Sequence, residues 1–148
     1  MAYRTSAEAS YRLKYYAAAD TDIKRALEIR KSIPKRNLFD ERDASDGLML
    51  AAMIAARMER YPEAQQLIEP VLAFHRGLYA RKDNEDLNQH VQYASALYVS
   101  ALAAPGQKTS QLAQAAAIID ALPPAMRRQV SITVWRDRIA EEQKKQRS

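Results

Sequence analysis

The chain has 148 residues, 47% of them hydrophobic, with three glycines, no cysteine and a formal net charge of +5. That length fits one domain able to bury a core, and the composition excludes a disordered or turn-rich chain. Lack of cysteine excludes disulfides and thiolate metal sites, and no apolar run approaches the roughly 18 residues of a membrane span.

Abundant alanine with little glycine favours helix over sheet. Thr5-Ser6-Ala7-Glu8 fits a capping box, which opens a first helix with Ala9, Leu13 and Tyr16 on one face. Asp20-Thr21-Asp22 reads as a stop and restart, because short acidic and hydroxyl side chains cap helix N-termini. The second helix carries Ile23, Ala26, Leu27 and Ile29 and ends before Pro34. A polar linker, PKRNLFDERDA, follows, with Leu38 and Phe39 expected to tuck inward.

Asp43 or Ser45 is expected to cap the third helix, whose stripe is Leu48, Ala51, Ala52 and Ala55 at i, i+3, i+4 and i+7. Tyr61-Pro62 begins the fourth, where a proline costs nothing, with Ala64, Leu67, Ile68 and Val71 at the same spacing. Pro70 removes one hydrogen bond inside that helix and predicts a kink or a break. In Lys82-Asp83-Asn84-Glu85-Asp86, Asp83 or Asn84 caps a fifth helix with Val91, Ala94, Ser95, Tyr98 and Leu102 inward. Pro105-Gly106 ends it. Thr109 or Ser110 opens a sixth, with Leu112, Ala115, Ala116, Ile119 and Leu122 apolar. Pro123-Pro124 leads into a seventh, with Met126, Val130, Val134, Trp135 and Ile139, and a polar tail that frays.

The odd helices are thus expected to begin near Ser6, Ser45, Asn84 and Pro124, about 39 or 40 residues apart. A fixed period of this size, filled by a helix pair, is the mark of an α-solenoid. The expected divisions of a single 1–148 domain are hairpins over about 5–34, 43–81 and 83–122, then an end helix over about 124–144.

RYPEAQQLIEPVL resembles the second helix of a tetratricopeptide repeat, with Ala64, Ile68 and Val71 on its small, large and small-or-apolar positions. Leu48, Ala51, Ala52 and Ala55 match the first helix. A second copy uses Val91, Ala94, Ser95 and Tyr98, then Ala115, Ile119 and Leu122 after an insertion near Pro105-Gly106. A degenerate first copy uses Ala9, Leu13 and Tyr16. The usual glycine is replaced by Ala52 and Ser95, the usual tryptophan is absent, and the repeat exceeds the typical length of about 34 residues. In this it looks like the kinesin-light-chain-like subset common in bacterial proteins. The resemblance spans Thr5 to Leu122. It implies an all-α, right-handed solenoid of about three hairpins plus a C-terminal capping helix, acting as a scaffold that binds a protein or peptide in a concave groove. The groove would be lined by Ser10, Lys14, Met49, Met53, Arg57, Gln89, Gln92 and Ala96.

Residues 1–36 hold nine Lys/Arg against four Asp/Glu, residues 37–90 six against ten, and residues 91–148 eight against four. Nucleic-acid binders concentrate cations in one stripe; this pattern reads first as solvated helix faces. Tyr11, Arg12 and Tyr15 form an aromatic–basic patch of a kind that anchors proteins or single-stranded nucleic acid, so a basic nucleic-acid-binding domain is the less favoured alternative. Self-association through exposed end faces is the other. His75 and His90 lie in different helices with no HExxH spacing. Asp83, Glu85 and Asp86 lack the calcium-loop glycine. No phosphate-loop, dinucleotide or nucleophile-elbow motif occurs. The expectation is a non-enzyme without cofactor or metal. MAYRTSAEAS has no apolar signal core, and a cytoplasmic location is expected.

Overall fold

The computed structural model describes residues 2–81 and 86–147. Those residues form helices and connecting turns, with no strand among them. They fall into two compact units, Met1–Val71 and Leu72–Ser148.

The first unit contains α1 (Ala2–Arg12), α2 (Tyr16–Lys31), α3 (Leu38–Arg57) and the beginning of α4 (Tyr61–Tyr79). α1 packs on α2, and α2 on α3. Two of its reversals use the same device. After α1, Lys14 takes φ 63°, with Tyr15 N–H donating to Ser10 C=O at 2.8 Å and Lys14 N–H to Tyr11 C=O at 2.9 Å. After α3, Glu59 takes φ 60°, with Arg60 N–H donating to Ala55 C=O at 2.9 Å and Glu59 N–H to Ala56 C=O at 3.0 Å. Both are Schellman terminations, which satisfy carbonyls that a helix end would otherwise leave bare.

The first break therefore falls at Leu13–Tyr15, not at Asp20–Asp22. Those residues lie inside α2, where Thr21 Oγ1 donates back to Ala17 C=O at 3.2 Å and Asp22 accepts from Ser6 Oγ at 2.7 Å. Thr5 to Glu8 lies inside α1 rather than capping it; Glu8 instead holds Arg12 one turn on, at 2.9 Å. The buried face of α1 is Ala7 and Tyr11, while Leu13 is 64% exposed. Superposing the two reversals sets Ala7 opposite Ala52, Ala19 opposite Ala64 and Ile23 opposite Ile68, and all six are buried. Ala9 and Leu13, expected on the inward face of the first helix, are exposed, and Tyr16 is half-buried at the start of α2.

α3 starts earlier than expected. The Asn37 side chain accepts from Asp40 N–H at 2.9 Å, and the Asp40 carboxylate accepts from Arg36 N–H at 3.0 Å. This reciprocal cap carries the helix back to Leu38 and leaves Asp43 and Ser45 in its body. Leu38 and Phe39 are exposed rather than tucked in. Helices α1, α3 and α5 begin at Ala2, Leu38 and Leu87, so the expected even spacing of helix starts is not kept. α4 runs through Pro70 without a break. The missing N–H leaves the Gln66 carbonyl without its helical donor, and the boundary between the units follows directly, after Val71.

The second unit holds the rest of α4, α5 (Leu87–Ala103), a 3-10 turn (Pro105–Gln107), α6 (Lys108–Asp120), α7 (Pro124–Arg127) and α8 (Val130–Arg147). Asp86 caps α5 by accepting from Asn88 N–H at 3.0 Å; the expected caps Asp83 and Asn84 lie outside the described residues. α5 packs on α6, and α8 on both. Val91, Ala94, Ser95, Tyr98 and Leu102 of α5 are buried, as are Leu112, Ala115 and Ile119 of α6. The end helix divides: α7 is one turn opened by Pro124, and α8 follows. α8 buries Ile132, Ile139 and Glu142 and leaves Val130 in solvent. Trp135 meets the Tyr98 ring edge-on at 5.8 Å. Lys108 Nζ lies 2.9 Å from the buried Glu142 carboxylate, with Lys145 on its other oxygen at 3.2 Å. No described helix is long and apolar enough to cross a membrane.

Candidate functional site

The residues expected to line a groove do not form an open wall. Met49, Met53, Gln89 and Ala96 are buried. Met49, Met53 and Ala96 belong to helix stretches, Met49–Ala56 and Ala94–Ala103, in which every residue is buried, so no solvent-facing stripe is left there. Ser10, Arg57 and Gln92 are half-buried, and Lys14 is exposed at the first reversal. Arg57 Nε donates to the Tyr11 hydroxyl at 3.3 Å, which joins two expected site residues in an internal contact. The aromatic–basic patch divides in the same way. Tyr11 is buried against Tyr16, ring centroids 5.6 Å apart, Arg12 turns to Glu8, and Tyr15 remains in solvent.

A larger cavity lies elsewhere in the first unit. A cleft of about 710 Å³ is lined by α2, the loop after it, α3 and α4. That volume suits a peptide side-chain cluster or a small ligand. Leu27, Ile33, Ala44, Leu48 and Leu67 supply an apolar floor; Lys24, Arg30, Lys31 and Lys35 supply a cationic rim, with Glu28 its one acid. The periodicity of α2 produces this arrangement. Lys24, Leu27, Glu28 and Lys31 fall at i, i+3, i+4 and i+7, one face of a helix.

Asp43 fixes the walls. Its carboxylate lies between Arg4 of α1, at 2.6 Å, and Arg30 of α2, at 2.5 Å, and Arg30 also donates to the Asp40 carbonyl at 2.8 Å. All three side chains are largely screened from water, so charge and planar hydrogen bonding act together. Gly47 of α3 faces α2, where a Cβ would stand 3.4 Å from Leu27 Cδ2, an ordinary contact. Asp20 ties the hairpin turn to α2 through Arg60 at 2.5 Å. Burial raises the carboxyl pKa of Asp46, one turn from Asp43, and the nearby Asp43 and Glu8 charges raise it further, against the lowering effect of Arg4 and Arg42.

Among the described residues no three His, Asp or Glu side chains converge as a metal site. His75 is fully buried with its ring edge on Phe74, and His90 meets Tyr79, ring centroids 5.0 Å apart in each pair. The sequence did carry a signal for the cleft: the basic segment KRALEIRKSIPKR keeps Ile29 and Ile33 among six cations. No protein-family model, curated protein or solved structure matches this chain.

Proposed function

We propose that this chain is a non-catalytic protein-interaction module of tetratricopeptide-like type, a stack of helical hairpins that takes a peptide segment of a partner in the cleft between α2, α3 and α4. The observation that carries the reading is the cleft itself: a leucine-rich floor under a lysine rim. Such a site gains from burying apolar side chains and orients them by charge at the edge. The two hairpins with identical reversals and matching alanines support the repeat reading, since close backbone approach at small residues is what lets hairpins stack. The division of the aromatic–basic patch argues against single-stranded nucleic acid as the ligand, because stacking needs exposed ring faces.

The test is selection of a random peptide library on the full chain, repeated with a Leu48→Ser/Leu67→Ser variant and a Lys24→Glu/Lys31→Glu variant. Enriched peptides should pair apolar residues with Asp or Glu and lose binding to both variants, which retain wild-type helicity. Enrichment indifferent to both variants would remove the cleft from the proposal.

A further inference from the structure

Residues 24–39 carry apolar side chains into solvent beside an excess of cations. Ile29, Ile33 and Leu38 are 48%, 42% and 45% exposed, and Phe39 is 76% exposed. Every residue from 31 to 39 is exposed. The same stretch holds six Lys/Arg against one Glu. Arg30 is engaged by Asp43 and Arg36 lies 3.7 Å from Asp40, which leaves Lys24, Arg25, Lys31 and Lys35 as the outward cations. Lys24 and Lys31 pair with Asp20 and Glu28 on their own helix at 3.1 and 3.2 Å. The Lys31–Glu28 pair is exposed, and such pairs are weak and yield to a denser anionic surface; Asp20 is also held by Arg60, so it does not rely on Lys24. Of the acids at the start of α3, Asp40 is turned into the helix cap and Glu41 is half-buried.

We propose that this segment is a contact site for an anionic lipid bilayer. Leu38 and Phe39, on the first turn of α3 and outside the cleft lining, enter the headgroup layer. Lys24, Arg25, Lys31 and Lys35 meet the lipid phosphates and carboxylates around them. A bilayer with anionic headgroups offers charge and an apolar interior at one surface, which is the combination this stretch presents. A peptide ligand is served by concavity, and Phe39 lies outside the concave region. Nucleic acid would use the cations but gain nothing from exposed Ile29, Ile33 and Leu38. Lys24, Lys31 and Lys35 also rim the cleft, whereas Leu38 and Phe39 do not line it, so the Leu38→Ser/Phe39→Ser variant separates bilayer contact from peptide binding.

The test is sedimentation of the full chain with phosphatidylcholine vesicles, with and without about a third phosphatidylserine. The chain should sediment with the anionic vesicles only and be released as salt shortens the screening length. Leu38→Ser/Phe39→Ser should lower the partition coefficient at least about tenfold, since two large apolar side chains no longer enter the bilayer. Lys31→Glu/Lys35→Glu should abolish binding. All four positions are exposed, so helicity and thermal midpoint should stay as in the wild type. Equal binding to zwitterionic vesicles, or none to anionic ones, would overturn the proposal. So would anionic binding that survives Leu38→Ser/Phe39→Ser and is displaced by duplex DNA, which would indicate a general affinity for polyanions.

Discussion

Lys14 and Glu59 occupy the same place in two hairpins and share a left-handed backbone, φ 63° and 60°. They are the two non-glycine residues with positive φ among the described ones. Each is preceded by an apolar residue and an arginine and followed two positions later by a tyrosine: RLKYY and RMERY. An L-residue in this region costs roughly 1 kcal/mol, and glycine avoids the clash. Lys14→Gly and Glu59→Gly should therefore each stabilise the chain by up to about 0.5 kcal/mol, net of the extra freedom glycine gives the unfolded state. Urea unfolding measures it, and Glu59→Val should move in the opposite direction.

Ala52 is fully buried, as is Ala7 at the equivalent position of the other hairpin. Ala52→Leu adds three carbons where helices approach closely, at a cost of about 1–3 kcal/mol. An unchanged thermal midpoint would mean that the α3 seam is looser than the burial of Met49 to Ala56 indicates.

Asp46 should make stability depend on pH in an unusual sense. Its carboxyl binds a proton more tightly folded than unfolded. The folded state then loses ground as pH rises from the ordinary carboxylate value through the raised one, and above that window the penalty is complete. Asp46→Asn should raise the melting temperature at pH 7, and the difference should shrink as pH falls below about 4. A midpoint lowered at pH 7 would show that the ionised carboxylate is a net stabiliser through Arg4 and Arg42.

Glu142 is a buried carboxylate of the second unit, 1% exposed. Lys108→Ala removes its partner from α6 and leaves Lys145 as the cation on its own helix. Removing one member of a buried pair costs about 3–5 kcal/mol; the remaining lysine puts the expected loss near 3 kcal/mol. Denaturant unfolding followed at Trp135, which packs on Tyr98 in the same unit, measures it directly.

The helical class and the cores of α3, α5 and α6 were legible because alanine and leucine recur there at helical spacing without interruption. The reversal at Lys14 was not. Helix ends announce themselves by glycine or asparagine, and here the left-handed position is a lysine, so the polar run Asp20-Thr21-Asp22 looked like the better break. Those residues make their capping-type contacts sideways, to Ser6, Lys24 and Arg60, from within α2. The burial of the expected groove residues was hidden for a different reason. Met49 and Met53 sit in a segment buried all round, where periodicity cannot distinguish a groove face from a core face. The cleft is lined from three helices and held beside the Asp43 link between Arg4 and Arg30, contacts between helices that no single helix pattern encodes.

The most direct measurement is backbone amide chemical-shift mapping of the full chain during titration with a library-selected peptide. The largest shifts are expected at Leu27, Lys31, Ile33, Ala44, Leu48 and Leu67, saturating together. Shifts confined to other residues, with those six unmoved at saturation, would contradict the cleft as the recognition site.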